Sequence, residues 1–413
     1  MLTPNDVFTP GSLPIRPTNI YAARGEAEDV FKKAMRRSLI PVVFGEYGVG
    51  KTSMARHILR EKDQNNLLIN IQSVADKSLD EIFERCLEKL GYSVKKGFKV
   101  SSAESNTQES TVQAGAKKGA FNALVASRKS KTVSSETQEE HEVLITSPTD
   151  AKIIEICESA GVALLIDELH RASEELSSDL AKFLKSYGNS NCKNFNIVLL
   201  GTSSDASRLV SSDPGIDRLL QEIHLKAMTD EECSYVVSKG MKDLHISYEP
   251  EIEAKLVKSC VGSPSILQYL SLECAEEAFE RNPRTLTLED IDKAIKTFVE
   301  TKEARLNKSY VAAVETTGEM RYRKQILRAV AECEDEYVTM EKIREKVSEY
   351  LGKDVPSTAL SGPLRDLKTE RYGLVLTDVE RPDRSERLNN YTTFKDPALK
   401  AFIRLQILRD VES

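Results

Sequence analysis

The chain has 413 residues, 40% of them hydrophobic and 30% charged, and a formal net charge of −7. That describes a globular protein with room for two or three domains, and the acidic balance argues against a protein sheathed in nucleic acid. No apolar run approaches the roughly 18 residues of a membrane span, residues 1–6 lack the character of a secretion signal, and seven cysteines without a C-x-x-C pair point to reduced thiols in a cytoplasmic protein rather than a disulfide or zinc scaffold.

Residues 1–20, rich in Pro, Thr and Asn, read as an extended lead-in, and residues 26–37 have helical periodicity. The apolar run 39–44 reads as a buried strand. It enters Gly45-Glu46-Tyr47-Gly48-Val49-Gly50-Lys51-Thr52, which fits the phosphate-loop pattern G-x-x-x-x-G-K-[ST] without mismatch. Residues 52–59 follow as a helix. Strand, glycine loop and helix are what phosphate binding requires: backbone N–H groups curl around oxygens, and the helix N-terminus adds partial positive charge. Gly45, Gly48, Val49, Gly50, Lys51, Thr52 and Ser53 are therefore the candidate ATP contacts. Lys51 is expected at the β- and γ-phosphates, and the Thr52 hydroxyl on Mg²⁺.

A second strand at 67–71 and a helix at 79–90 come next, with Gly91 as the stop. Residues 92–148 are rich in Ser, Thr, Gly, Ala and Lys without an apolar period and read as a loop or hairpin insertion. Within it, residues 93–131 hold eight Lys/Arg against Glu104 and Glu109, a local charge of +6. Helix, strand, helix and strand are expected near 150–160, 162–167, 173–187 and 196–200. Continuously apolar strands alternating with helices imply a parallel sheet covered on both faces. After Ala227 four helical patterns follow (229–239, 250–260, 263–281 and 287–301), and the charged stretch 300–308 reads as a link. The third unit, 318–413, reads helix, helix, helix, then two strands flanking the polar tip at Arg381-Pro382-Asp383-Arg384, then a closing helix. That order suggests a winged helix, its third helix starting at Pro363.

The strand at 162–167 delivers Asp167 and Glu168 to the edge where the phosphate loop sits. Asp167 is the second candidate Mg²⁺ holder, and Glu168 the group that polarises the attacking water. Thr202, with Ser203 behind it, follows the next strand and can orient water or simply cap the helix after it.

With these residues placed, the chain resembles the AAA+ P-loop ATPases over about residues 14–300. Asp167-Glu168-Leu169-His170-Arg171 looks like the acidic motif of the branch of origin-recognition initiators and transposition-regulator ATPases, where a winged helix often follows the lid. The resemblance implies an α/β core at 1–226, with its insertion at about 92–148, a helical lid at 227–303 and a winged-helix domain at 318–413. It also implies a homo-oligomer with an arginine finger acting on a neighbour. Arg218, within Asp213-Pro214-Gly215-Ile216-Asp217-Arg218, is the candidate, and Arg208 the reserve. The alternative is a surface arginine paired with Asp213 or Glu222. The lid departs from the family pattern, because no arginine follows the proline of Gly262-Ser263-Pro264-Ser265. A slow switch fits that better than a motor. Residues 321–413 carry 18 Lys/Arg against 17 Asp/Glu, a weak balance for a DNA reader. Arg365, Lys368 and Arg371 with Arg381, Arg384 and Arg387 are the candidates for one local basic face. The reading that results is an ATP-dependent oligomeric switch acting on duplex DNA, through residues 93–131 or the winged helix, or on an effector protein. The alternative is a STAND-like signalling or defence NTPase that regulates an effector without reading DNA.

Overall fold

The computed structural model describes residues 2–10, 20–62, 67–71, 78–94, 144–145, 149–169, 172–201, 209–210, 213–315, 322–335, 337–379 and 391–412. In chain order the first elements are α1 (Pro4–Val7), α2 (Glu26–Arg36), β1 (Ile40–Phe44), α3 (Lys51–Lys62), β2 (Leu67–Ile71), α4 (Leu79–Lys89), β3 (Ser93–Val94) and β4 (Leu144–Ile145). Then come α5 (Asp150–Ala160), β5 (Val162–Ile166), α6 (Glu174–Gly188), β6 (Asn196–Gly201), a 3₁₀ turn (Pro214–Leu219) and β7 (Leu220–His224).

Strands β2, β5, β6, β1 and β7 form one sheet in that order, all parallel. Side chains along a strand alternate between faces, and the apolar runs split accordingly. Val42, Leu164, Ile166, Ile197 and Leu199 join a core with α4, α5 and α6. Val43, Ala163, Leu165, Val198 and Leu200 join the opposite core with Phe31 and Met35 of α2 and Met54 and Ile58 of α3. Both faces are thus covered, as the unbroken hydrophobicity of the strands demands. The two-residue strands β3 and β4 pair in parallel at the two ends of the insertion; residues 95–143 lie outside the described residues.

The next helices are α7 (Asp230–Asp243), α8 (Pro250–Ser259), α9 (Pro264–Phe279) and α10 (Leu288–Thr297), the four-helix unit read from the sequence. Their starts are encoded locally. Thr229 and Glu232 cap α7 reciprocally, Ser263 accepts from the N–H of Ile266, and Pro250 and Pro264 occupy first-turn positions. The charged stretch after α10 is helical rather than a loose link. A π-turn (Phe298–Lys302) runs into α11 (Ala304–Val314), whose Leu306, Tyr310 and Ala313 are buried.

The remaining elements are α12 (Arg323–Glu332), β8 (Val338–Thr339), α13 (Met340–Leu351), α14 (Ser357–Asp366), β9 (Leu376–Val379), β10 (Tyr391–Phe394) and α15 (Ala398–Glu412). Strands β8, β10 and β9 form an antiparallel sheet with β10 central. Pro363 sits inside α14, which starts at Ser357, so it does not open the helix. With Pro356 at the N-cap and Leu360 and Leu364 buried, packing outweighs the one lost N–H. Through α11 the four-helix unit and this last unit share one apolar cluster, with Tyr310 edge-on to Phe402 of α15.

Residues 2–10 are also more than a lead-in. Helix α1 is capped by Thr3 and Asp6, and Val7 and Phe8 are buried against α7 and α9.

Candidate nucleotide site

A cavity of about 380 Å³ opens between the sheet's carboxyl edge and the four-helix unit. Its polar end is lined by Gly48, Gly50, Lys51, Thr52, Asp167 and Glu168. Its apolar end is formed by Ile20, Ala22, Met228, Val236 and Leu267. A charged pole and an apolar pole in one cleft suit a phosphorylated ligand with a flat ring system.

The polar end is built by the loop after β1. Gly48 and Gly50 have φ of 80° and 93°, backbone that only glycine adopts freely. A Cβ on Gly45 would meet the Leu225 carbonyl oxygen at 2.2 Å, so this position is small because β7's end passes against it. The Lys51 ammonium donates to the carbonyls of Gly45 (2.9 Å) and Glu46 (3.0 Å), folded over its own loop. Val49 is buried and Ser53 lines the cavity.

The acidic motif meets the loop directly. Thr52 Oγ1 donates to Asp167 Oδ2 at 2.6 Å, although β6 separates their strands. The other Asp167 oxygen accepts the backbone N–H of Glu168 at 2.8 Å. Glu168 holds φ at 63°, a conformation uncommon for a residue with a side chain. Strain of that kind concentrates at functional positions.

Arg24 lies in no motif that would mark it in the sequence. It is 8% exposed, and its Nη atoms donate to the carbonyls of Val49 (2.7 Å) and Lys226 (2.6 Å). Its Nε lies 3.2 Å from Glu232 of α7. One guanidinium thus ties the phosphate loop to the connection after β7 and to the first helix of the four-helix unit. Beside it, the Tyr21 ring stacks on His57 at 4.0 Å and its hydroxyl donates to Glu28. Burial, reinforced by that bond, pushes the Tyr21 phenol well above its ordinary range. From the other side the Gly262-Ser263-Pro264-Ser265 turn packs onto the loop, with a Gly48 Cβ position 3.3 Å from Ser263 Oγ and a Gly50 one 3.5 Å from Pro264. Ser265 of this turn lines the cavity.

Arg218 is exposed on the 3₁₀ turn before β7 and does not line the cavity. Asp213 pairs with Lys185 at 2.9 Å, not with Arg218. Thr202, Ser203 and Arg208 lie outside the described residues. In the C-terminal unit Lys368 bonds Asp378 and Thr392 (3.0 Å to the latter), while Arg365 and Arg371 are exposed; Arg381, Arg384 and Arg387 lie outside the described residues.

Residues 35–210 match the family model described as AAA domain. Comparison with curated proteins finds no match. Among solved structures, the chain is similar to the Aeropyrum pernix ORC2 protein in its ADP form (15% identity, 99% of each chain, TM-score 0.51). It is also similar to the Walker-type ATPase of Pyrococcus abyssi (17% identity, 95% of this chain and 97% of that one, TM-score 0.46). A third likeness is to Cdc6p from Pyrobaculum aerophilum (14% identity, 99% and 98%, TM-score 0.44). At such identities the ORC2 likeness speaks for the fold, a parallel P-loop sheet with helices on both faces and a helical unit beyond it. The stretch that matches the AAA-domain model, residues 35–210, holds both the phosphate loop and the acidic motif of this site.

Proposed function

We propose that the chain binds ATP between its α/β core and the helical lid and hydrolyses it slowly, as an oligomeric switch. The observation that carries this reading is the 2.6 Å contact between Thr52 and Asp167 at the polar end of the cavity. A hydroxyl and a carboxylate held together beside a phosphate loop are hard oxygen donors of the kind Mg²⁺ takes, so the residues fit that ion. When bound, Mg²⁺ supplies charge neutralisation at the β- and γ-phosphates. Lys51 exchanges its loop carbonyls for phosphate oxygens. Glu168, next to Asp167, accepts a proton from the attacking water. Thr202 orients that water. Arg218 acts on a neighbouring subunit. The lack of an arginine after Pro264, where Ser265 and Ile266 stand, supports slow turnover.

We read the core as residues 1–226, the lid as 227–303 and the helix–strand unit 318–413 as a winged helix. Action on duplex DNA through residues 93–131 or this unit is one branch. Regulation of an effector protein is favoured by one observation: Lys368, a cation counted toward a basic face, is committed to Asp378 and Thr392. Steeply salt-dependent affinity for duplex DNA supports the first branch, and its absence the second.

The reading is tested with a fluorescent non-hydrolysable ATP analogue and a phosphate-release assay. Lys51→Ala is expected to weaken analogue binding by about 100-fold or more. Glu168→Gln is expected to keep binding and lose turnover by about 100-fold. Unchanged binding in Lys51→Ala overturns the assignment.

A further inference from the structure

An acid at the second position of a phosphate loop opposes the ligand the loop is shaped to hold, and Glu46 occupies that position. The structure compensates for it from the far end of the chain. Arg404 of α15 donates to both Glu46 oxygens, at 2.8 and 3.0 Å, and Lys400 Nζ lies 2.7 Å from Oε1. The two cations are four residues apart, on one helix face. Both are aimed independently of Glu46. Arg404 Nε donates to the Ala331 carbonyl at 2.6 Å, and Lys400 to the Asp335 carbonyl at 3.1 Å. Lys400 is 7% exposed and Arg404 half-buried, so solvent screens the group little. Burial alone pushes the Glu46 carboxyl up; the two cations outweigh it and hold the acid below its ordinary range. Two cations on one carboxylate cancel its repulsion toward an anionic ligand and hold its side chain in one place. Glu46 is also the residue whose carbonyl accepts from Lys51. Freeing Lys51 for a phosphate therefore alters the backbone that carries the Arg404 contact.

We propose that Lys400 and Arg404 are positioning residues of the nucleotide site. Through Glu46 they make α15 part of the phosphate loop's electrostatics. Nucleotide affinity and docking of the C-terminal unit are then one coupled equilibrium, and each strengthens the other by the same factor. This rests on the nucleotide reading above.

The test is a mutant cycle on the full chain, read as affinity for the fluorescent ATP analogue. Arg404→Gln is expected to weaken binding about tenfold. In a Glu46→Gln background the same substitution is expected to change affinity by less than about twofold, because the acid it neutralises is gone. An equal loss in both backgrounds, or no loss in either, overturns the coupling. If Arg404→Gln unfolds on losing its bond to Ala331, Lys400→Gln carries the same cycle with the same two outcomes. Lys51→Ala separates the two readings. Unchanged binding there defeats the nucleotide assignment itself, whereas a failed cycle with a Lys51-dependent site defeats only the coupling.

Discussion

Arg24 shows how much one side chain can organise. It satisfies two carbonyls and approaches one carboxylate, from three separate parts of the chain, while almost fully buried. A lysine could not replace it, since a single ammonium lacks the planar fork that spans Val49 and Lys226. Arg24→Met would keep much of the apolar volume, leave both carbonyls without their donor and remove the ion-pair partner of Glu232. Breaking a buried charge pair from one side costs about 3–5 kcal/mol. Arg24→Met is therefore expected to lower the unfolding free energy by about 3 kcal/mol in urea titration. It should also weaken binding of the ATP analogue, because the Val49 carbonyl no longer fixes the loop. A melt unchanged from wild type would mean that the guanidinium contacts are replaceable.

At the scale of elements, the sequence declares whatever is local and periodic. Strands β1, β5 and β6 are legible because both faces are buried and, apart from Asn196 at the start of β6, every position is apolar. The neighbouring edge strand β7, Leu220-Gln221-Glu222-Ile223-His224, buries only Ile223 and shows no such run. Helix α11 was hidden by the charges that precede it, and α1 by its four-residue length. The site divides in the same way. Lys51, Thr52, Asp167 and Glu168 lie in short motifs. Arg24 and the Glu46–Arg404 pair, 358 positions apart in the chain, are visible only once the fold brings them together. Helix α1 carries its own prediction. Phe8 is 1% exposed, and a Cβ on Gly240 would come within 2.2 Å of its ring, so α7 keeps a glycine to seat it. Next to Phe8, the Thr9 N–H donates to Gln268 Oε1 at 2.9 Å, and both residues line the cavity. Phe8→Ala leaves a void and is expected to cost about 3–4 kcal/mol, measured by thermal or denaturant unfolding. Loss of the Thr9 anchor should loosen the cavity's apolar end, so ATP-analogue affinity is expected to fall with stability. Retained affinity would uncouple the segment from the site.

At the scale of the molecule, the position of Arg218 sets a geometric limit. Leu220, two residues on, pairs with Ile40 at the first residue of β1, whereas the phosphate loop leaves β1 after Phe44. Five strand residues at about 3.3 Å each put roughly 16 Å of sheet between the two edges. A side chain on the opposite edge cannot serve its own site, so Arg218 either belongs to a neighbour's site or plays no part in hydrolysis. A head-to-tail assembly, the arrangement proposed above, would present one protomer's Arg218 edge to the next protomer's loop, as heterologous interfaces do. Two defective proteins should then complement. Lys51→Ala protomers keep the finger and lose the site; Arg218→Ala protomers keep the site and lose the finger. Each alone is expected to fall to background turnover. Mixed at equal amounts and allowed to exchange, about half the sites are intact and half of those face an intact finger. Turnover should therefore recover to about one quarter of wild type if closed head-to-tail assembly holds. No recovery, from proteins shown by sizing to co-assemble, would remove Arg218 from the reaction. Full activity of Arg218→Ala alone would do so more simply.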